Sequence, residues 1–329
     1  MTETSAKILE SYQVRKTKEQ KSAFREYIKT VAEDMGYSAR VEDGSLGAKN
    51  LVIGSPENAK VVFTAHYDTP PVMPLPNFIT PKSIPVYVLY QIFVVAVLMI
   101  LPALAVGFAA YFIMTALAVG FAAYFIMTGM SMGGETAGRI AYFVGYFFGI
   151  AVVLFVLLGP ANKHNANDNT SGVTTIVDIM RDLPTDLRDS AAFVLFDLEE
   201  SGLLGSASFY KQHKDFMKDK LLINFDCVGE GENMLFVLKK GAVEYESLIK
   251  EAYLSTEKFK VEILTRGYVY PSDQASFPVG VGACALNSTK QGLLYMNKIH
   301  TARDIVYMEE NIEFFKNGSI KLTGIISEK

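Results

Sequence analysis

A long apolar block limits how this chain of 329 residues can fold more than any other feature of its sequence. In residues 83–128 nearly every side chain is apolar or small, and residues 140–158 are apolar again after a short loop. A membrane-spanning helix needs about 20 such residues. The second apolar segment therefore fits one span, whereas the first is about twice as long as a span requires.

The first apolar segment owes its length to a tandem repeat. Residues 103–115, with the sequence ALAVGFAAYFIMT, recur without change as residues 116–128. Because this repeat length is not a whole number of helical turns, the two copies would face different directions on one helix. We therefore interpret the repeat as a duplication and not as a maintained packing face.

Charge and cysteine content exclude several classes of function. The chain has 31 Lys and Arg against 35 Asp and Glu, a net charge of −4 that provides no electrostatic basis for binding nucleic acid. Its 2 cysteines, Cys227 and Cys284, are too few for a disulfide framework or a thiolate zinc site, so we expect buried free thiols. The polar N-terminus has no apolar stretch and predicts no cleavable signal peptide.

Outside the apolar block, strand patterns and helix patterns alternate along the chain. Periodicity and turn residues predict helices over 16–35, 171–183, 201–213, 243–254 and 308–326. Short apolar runs predict strands over 38–41, 50–53, 60–65, 191–196, 221–225, 261–264 and 293–296. This alternation indicates an α/β fold with a mixed, largely parallel central sheet flanked by helices. The flanking parts, 1–82 and 160–329, supply roughly 250 residues for one core.

Five residues of metal-ligand type lie in five separate motifs, each at the end of a predicted strand or in the loop after it. They are His66, Asp168, Glu200, Asp226 and His300. In parallel sheets, ligands collect beyond the carboxyl ends of the strands. Two histidines and three carboxylates suit two zinc ions that share one carboxylate.

Two further carboxylates suggest roles beside these candidate ligands. Asp68 follows His66 by two positions, so on an extended segment it projects to the same side and can accept the proton of the second imidazole nitrogen. Glu199, beside Glu200, is suited to take a proton from the attacking water and pass it to a leaving amine. Each motif alone has a common alternative, such as a surface pair or, for Asp168, a helix N-cap. Only the five together favour a metal site.

Together these motifs resemble the zinc aminopeptidase family that also includes the glutamate carboxypeptidases and the animal glutaminyl cyclases. The resemblance covers nearly the whole chain outside the apolar block, in the family's order. It implies that His66 and Asp226 bind one zinc ion, that Glu200 and His300 bind the other, and that Asp168 bridges both. It also implies that Asp68 orients His66 and that Glu199 is the general base.

One segment departs from the family pattern. Residues 270–277, with the sequence YPSDQASF, look like the family's S-D-H-x-x-F segment at the substrate site, but Gln274 stands in place of the histidine. The departure leaves the implied metal ligands intact and changes the contacts expected on the substrate side.

The order of the motifs constrains membrane topology. His66 precedes the apolar block and Asp168 follows it, so a shared metal site requires an even number of crossings. We predict two, as a transmembrane hairpin inserted at residues 83–159; a buried soluble hairpin is the alternative. Ala141, Gly145 and Gly149 recur at four-residue spacing, which suits close packing on the partner helix.

Basic residues predict the orientation. Lys82 and Lys163 flank the hairpin on the catalytic side, whereas Arg139 lies in its turn, and the positive-inside rule then predicts a cytoplasmic catalytic domain. The sequence therefore predicts an integral membrane zinc metallo-exopeptidase, more specifically an aminopeptidase. Its substrates would be peptides, its cofactors two Zn²⁺ ions, and its further partner the lipid bilayer. A glutaminyl-cyclase-like acyltransferase, which needs only one zinc, and a catalytically silent receptor or scaffold domain are the alternatives.

Overall fold

The computed structural model describes residues 1–113 and 134–328. Contacts divide the chain into two units, one formed by Met1–Ile84 with Ala161–Lys329 and the other by Pro85–Pro160. The second copy of the repeat, residues 116–128, lies outside the described residues.

Within the described residues of the first unit, nine strands form one sheet. Their bounds are β1 Ala39–Asp43, β2 Lys49–Ile53, β3 Val61–His66, β4 Ala191–Phe196, β5 Leu221–Phe225, β6 Asn233–Leu238, β7 Lys260–Leu264, β8 Gly280–Ser288 and β9 Leu294–Tyr295. The order is β1-β2-β4-β3-β5-β8-β6-β7, with β9 on β8. The central strands β4, β3, β5 and β8 are parallel, while β1, β2, β6 and β9 each make antiparallel pairs. This mixed sheet confirms the predicted fold class.

The described chain also contains α-helices, and those of the first unit cover both faces of this sheet. Their bounds are α1 Glu3–Ser11, α2 Lys18–Asp34, α3 Ile84–Ile113 and α4 Gly134–Leu158, then α5 Gly172–Asp182, α6 Leu204–Gln212, α7 Lys214–Met217, α8 Glu246–Ala252 and α9 Glu309–Ser327. All but α3 and α4 belong to the first unit. A capping box of Thr17 and Gln20 begins α2: the side chain of each residue accepts a hydrogen bond from the backbone N–H group of the other.

The core forms because successive strand side chains point to opposite faces of the sheet. Phe63 on β3 packs with residues of α1, α2, α5, α8 and α9 on one face. Val62, the preceding residue, packs with Phe209 of α6 and Met217 of α7 on the other face. Strands covered on both faces read as continuous apolar runs, which is why β4 and β5 lie where the sequence predicts them. Both cysteines are buried and free, as predicted.

Two strands, β6 and β8, were missed by the sequence analysis. β8 contains Gly280 and Gly282, which lower the strand propensity of the segment. Both glycines lie against Gln274: a Cβ on Gly280 would approach the Gln274 carbonyl oxygen to 2.3 Å, and one on Gly282 would approach the Gln274 side chain to 2.8 Å. The strand is therefore glycine-rich because of a tertiary contact, which no local pattern reveals.

The second unit contains α3 and α4. Among the described residues, Ile84–Ile113 is the one helix long and apolar enough to cross a membrane, and Tyr142–Val152 is a shorter apolar stretch. A Cβ on Gly145 would lie 3.2 Å from the Ala103 carbonyl oxygen and 3.7 Å from Gly107 Cα, so this glycine permits close helix packing. A Cβ on Gly149 would meet no atom of the described chain within 4 Å. Two membrane crossings remain a prediction.

Candidate metal centre

Three adjacent parallel strands end at the same edge of the sheet, and part of the site lies at their carboxyl ends. β3 ends at His66, β4 is followed by the segment that carries Glu199 and Glu200, and β5 is followed directly by Asp226. Since β3 pairs in parallel with both β4 and β5, their carboxyl ends meet at the same edge.

Two loops complete the site. Asp168 lies in the turn Ala166–Ser171, which leads into α5. The backbone is not helical at Asp168, and the Asp168–Asn169 peptide bond is cis. His300 lies in the loop that follows β9. These loops bring together residues that are far apart in the chain, so all five candidate ligands share one location.

The candidate ligands form two groups that share Asp168. The ligand atoms of His66, Asp168 and Asp226 lie within 4.8 Å of one another, as do those of Asp168, Glu200 and His300. Different oxygens of Asp168 face the two groups: Oδ1 is 3.3 Å from His66 Nε2, and Oδ2 is 3.1 Å from His300 Nε2. Asp168 therefore contacts both groups, each through a different oxygen.

Glu199 lies at the same site, beside these two groups. Its carboxylate is within 4.8 Å of ligand atoms of His66 and Glu200. Like Glu200, it is only partly buried and it lines the cavity. It is therefore accessible to a molecule in the cavity while remaining close to the candidate ligands.

Asp68 connects two parts of the site. Its Oδ1 lies 3.5 Å from His66 Nδ1, on the side of the ring opposite the other candidate ligands. The same carboxylate accepts hydrogen bonds from the backbone N–H groups of Glu199, at 3.0 Å, and Glu200, at 3.3 Å. Asp68 thus lies where the sequence suggests and also holds the segment that carries Glu199 and Glu200.

Several residues that hold the Asp168 turn were missed by the sequence analysis. Asp304 is buried and accepts hydrogen bonds from the backbone N–H groups of Asn167, at 2.9 Å, and Asp168, at 3.0 Å. Asn169 Oδ1 accepts a bond from Gly172 N–H, and its amide donates to the Phe225 carbonyl. Asp304 follows His300 in the motif H-T-A-R-D, which is the one local signal that marks it.

Strained backbone conformations concentrate at the site. Within the described chain, five residues other than glycine have positive φ, and four of these lie at or beside the cavity: Leu198, Leu203, Cys227 and His300. Such conformations cost on the order of 1–3 kcal/mol each and persist where surrounding contacts enforce them. The surrounding fold therefore holds this site in a defined geometry.

The electrostatics of the cluster follow from burial and from like charges held close together. Burial raises the pKa values of Glu199 and Glu200 well above their usual range, and neighbouring carboxylates raise them further. Burial alone would also raise the pKa of Asp168, but hydrogen bonds and charge from His300 and His66 lower it below its ordinary value. A divalent cation among these groups would favour all of the charged carboxylates.

The donor set fits zinc. Imidazole nitrogens and carboxylate oxygens are common zinc ligands. Glu200 Oε1 is buried without a hydrogen-bond partner among the described residues, as expected for an oxygen that faces a cation.

The site opens into a cavity of about 290 Å³. Ile79, Leu203 and Ile299 form an apolar part of its lining. Tyr270 also lines it, and its hydroxyl donates a hydrogen bond of 2.9 Å to the Asp226 carbonyl. Gln274 does not line it: its side chain is buried and donates to the Tyr270 carbonyl at 2.9 Å. The residue in place of the family histidine is therefore a packing residue that supports Tyr270.

A comparison with protein families supports the resemblance inferred from the motifs. The model described as Peptidase family M28 matches residues 153–314. That range includes Asp168, Glu199, Glu200, Asp226 and His300. No curated protein matches the chain.

Solved structures with the same fold include a peptidase and a cyclase. The LapA aminopeptidase of Legionella pneumophila is 14% identical, with a TM-score of 0.54 over 99% of this chain and 70% of that one. The glutaminyl cyclase of Porphyromonas gingivalis is 13% identical, with a TM-score of 0.55 over 98% of this chain and 95% of that one. At these identities the likeness establishes the fold, and it is shared by both kinds of enzyme.

Proposed function

We propose that this chain, a zinc metallopeptidase of peptidase family M28, is an aminopeptidase that removes N-terminal residues from peptides with two zinc ions. One observation carries the two-metal assignment: the two oxygens of Asp168 face different groups of candidate ligands. His66 and Asp226 would hold one ion with Asp168, and Glu200 and His300 would hold the other. When bound, such a pair supplies a water of lowered pKa and polarises the scissile carbonyl.

The charge of the cavity favours an aminopeptidase over a carboxypeptidase. A carboxypeptidase must bind the terminal carboxylate of its substrate, and arginine or lysine is the usual partner. Neither residue type appears among the described residues that line the cavity, whereas Asp168, Glu199, Glu200 and Asp226 do. This acidic lining suits the α-ammonium group of an N-terminal residue.

Residues of the chain itself transfer the proton and position the reacting groups. Glu199 accepts a proton from the attacking water and donates it to the leaving amine. Burial raises the pKa of Glu199, and bound cations would oppose this shift. Asp68 lies 3.5 Å from His66 Nδ1 and holds the backbone of Glu199 by a hydrogen bond, so its role is to position these residues.

The apolar part of the cavity indicates the class of N-terminal residue. Ile79, Leu203 and Ile299 offer hydrocarbon surface and no charge. An aliphatic side chain would bury apolar area there at about 25 cal/mol per Å². An acidic side chain would lose its hydration and lie near four carboxylates. We therefore expect aliphatic N-terminal residues to be preferred.

A panel of aminoacyl fluorogenic substrates tests this function. Leucyl and methionyl substrates should be cleaved with kcat/KM about 10²-fold or more above the glutamyl substrate. A zinc chelator should abolish cleavage and added zinc should restore it. The matched control is N-acetyl-leucyl substrate, which lacks the α-ammonium group and should not be cleaved.

The same panel separates the alternatives. Formation of pyroglutamate and ammonia from a glutaminyl peptide, without cleavage of the leucyl substrate, would favour the cyclase-like reaction. No chelator-sensitive turnover on any substrate would favour a silent receptor or scaffold. Cleavage of the acetylated control would contradict recognition of the α-ammonium group.

We also propose that α3 and α4 anchor the enzyme in a membrane with an even number of crossings. The length and apolar composition of Ile84–Ile113 support this, together with the close approach of Gly145 to Ala103. The shared site is the stronger argument, because His66 precedes the apolar block and Asp168 follows it. The flanking lysines, Lys82 and Lys163, support a cytoplasmic catalytic unit.

Cysteine labelling tests this topology. Because Cys227 and Cys284 are buried, an impermeant maleimide should report mainly on introduced cysteines. Two single variants, Glu19→Cys and Lys290→Cys, introduce a cysteine at an exposed position before and after the apolar block, respectively. We expect both to be labelled only after the cells are permeabilised. Labelling of only one of the two positions in intact cells would contradict an even number of crossings. Labelling of both positions in intact cells would show that the catalytic unit faces the outside.

A further inference from the structure

A buried arginine lies beneath the candidate metal centre. Arg15, in the linker between α1 and α2, is fully buried, and its guanidinium lies 5.1 Å from the centre of the Phe24 ring. Burial lowers its pKa to about 10, while the charges of Asp68 and Asp168 oppose this shift. Arg15 is therefore protonated at neutral pH and places a positive charge under the acidic cluster.

The guanidinium of Arg15 joins two loops of the site. Nε donates to the carbonyl of Tyr67, the residue between His66 and Asp68. Nη1 donates at 3.2 Å to the hydroxyl of Thr170, two residues beyond Asp168. One planar group thus contacts the backbone beside His66 and the turn that carries Asp168.

The backbone of Arg15 strengthens the contact with the first loop. Its N–H donates to Thr69 Oγ1 at 2.9 Å, and its carbonyl accepts from Thr69 N–H at 3.2 Å. Nη1 also donates at 2.6 Å to the carbonyl of Tyr12, which anchors the guanidinium to its own linker. The two loops come from opposite sides of the apolar block in sequence, and Arg15 is a third segment that holds both.

These contacts are asymmetric with respect to the two candidate zinc positions. Arg15 reaches the loops of His66 and Asp168. None of its hydrogen bonds within the described chain reaches the segments that carry Glu200 or His300. Arg15 therefore links the loop of His66 to the turn of Asp168, in addition to the Asn169 amide, which donates to the His66 carbonyl at 3.5 Å. The connection of Arg15 to Glu200 is indirect and runs through Asp68, which accepts a hydrogen bond from the Glu200 backbone N–H.

We propose that Arg15 is a positioning residue that maintains the zinc position formed by His66, Asp168 and Asp226. The proposal rests on the dinuclear centre of the proposed function. Groups behind the ligands of a metal site typically change its affinity by about 10- to 100-fold when they are replaced. Loss of the Arg15 bridge should act on one of the two positions and spare the other.

Zinc titration of the apoprotein against a competing chelator tests this role. Wild-type protein should bind two zinc ions. In Arg15→Gln we expect one of the two dissociation constants to rise by about 10- to 100-fold, while the other changes by less than about 3-fold. Arg15→Lys keeps the charge without the planar fork and should be intermediate.

Two further variants keep the test interpretable. Arg25→Gln is the matched control. Arg25 is also buried and donates a hydrogen bond of 2.6 Å to the Tyr67 hydroxyl, but none of its hydrogen bonds within the described chain reaches the Asp168 turn. Zinc binding of Arg25→Gln should therefore resemble that of wild type. Thr170→Val removes only the hydroxyl that Arg15 contacts, so it should shift the same constant in a fold that Arg15 still supports. Circular dichroism checks that each variant is folded.

The outcomes are distinct. Two zinc ions bound with wild-type affinity in Arg15→Gln and Thr170→Val would overturn the role of Arg15 and leave the dinuclear centre standing. Equal weakening of both positions would show a general structural effect and would also overturn it. A wild-type protein that binds a single zinc would instead remove the dinuclear centre, and the proposal with it.

Discussion

Glu199→Gln is expected to lower kcat/KM by about 10²- to 10⁴-fold, the usual contribution of a positioned general base. Glutamine keeps nearly the same shape but does not take up the proton of the attacking water. The two groups that share Asp168 do not require Glu199, so the variant should keep the zinc content of wild type. Steady-state kinetics on a leucyl substrate and metal analysis of the same sample measure both effects.

The matched control for Glu199→Gln is Glu42→Gln. Glu42 is a partly buried glutamate on β1 that bonds to Arg40 and His213, and it does not line the cavity. Its replacement should leave kcat/KM near the wild-type value. Undiminished turnover in Glu199→Gln would exclude Glu199 as the base, whereas loss of zinc with activity would assign Glu199 to the metal ligands.

Asp168→Asn should have the second large effect, because it removes one oxygen of the carboxylate that faces both groups of ligands. An amide nitrogen does not ligate a cation, so at least one zinc ion loses a ligand. We expect kcat/KM to fall by more than about 10³-fold, beyond the loss usually seen for a single stabilising group. Zinc stoichiometry should fall below two at micromolar free zinc.

Asp178→Asn is the control for this variant. Asp178 is a buried carboxylate on α5, shortly after Asp168 in the chain, and it bonds to Ser5 and Arg181 away from the cavity. Its replacement should affect stability and leave the zinc stoichiometry at two. Two tightly bound zinc ions and wild-type turnover in Asp168→Asn would refute the bridging role.

The central strands were predictable because burial on both faces leaves a clear pattern. β4 and β5 read as continuous apolar runs, and each is followed by acidic residues at the sheet edge. β8 was not predictable in the same way, because Gly280 and Gly282 reflect their contact with Gln274. Local sequence thus predicts a strand best where burial in the core is the main constraint on its residues.

The candidate ligands could be selected from sequence because each lies in a short motif of unusual composition. Apart from Asp68, the residues that support them could not. Arg15 contacts Thr170 across 155 positions, and Asp304 contacts Asp168 across 136, so neither pair has a local signature. An arginine in a linker and an aspartate in a loop are ordinary surface residues until the fold buries them.

In the proposed metal centre, Asp168 lies between two zinc ions. Anomalous diffraction at the zinc absorption edge, from crystals of the zinc-loaded protein, tests it most directly. We predict two peaks about 3.5–4 Å apart on either side of Asp168, one beside His66 and Asp226 and one beside Glu200 and His300. A single peak held by Asp168, Glu200 and His300 would contradict the dinuclear account.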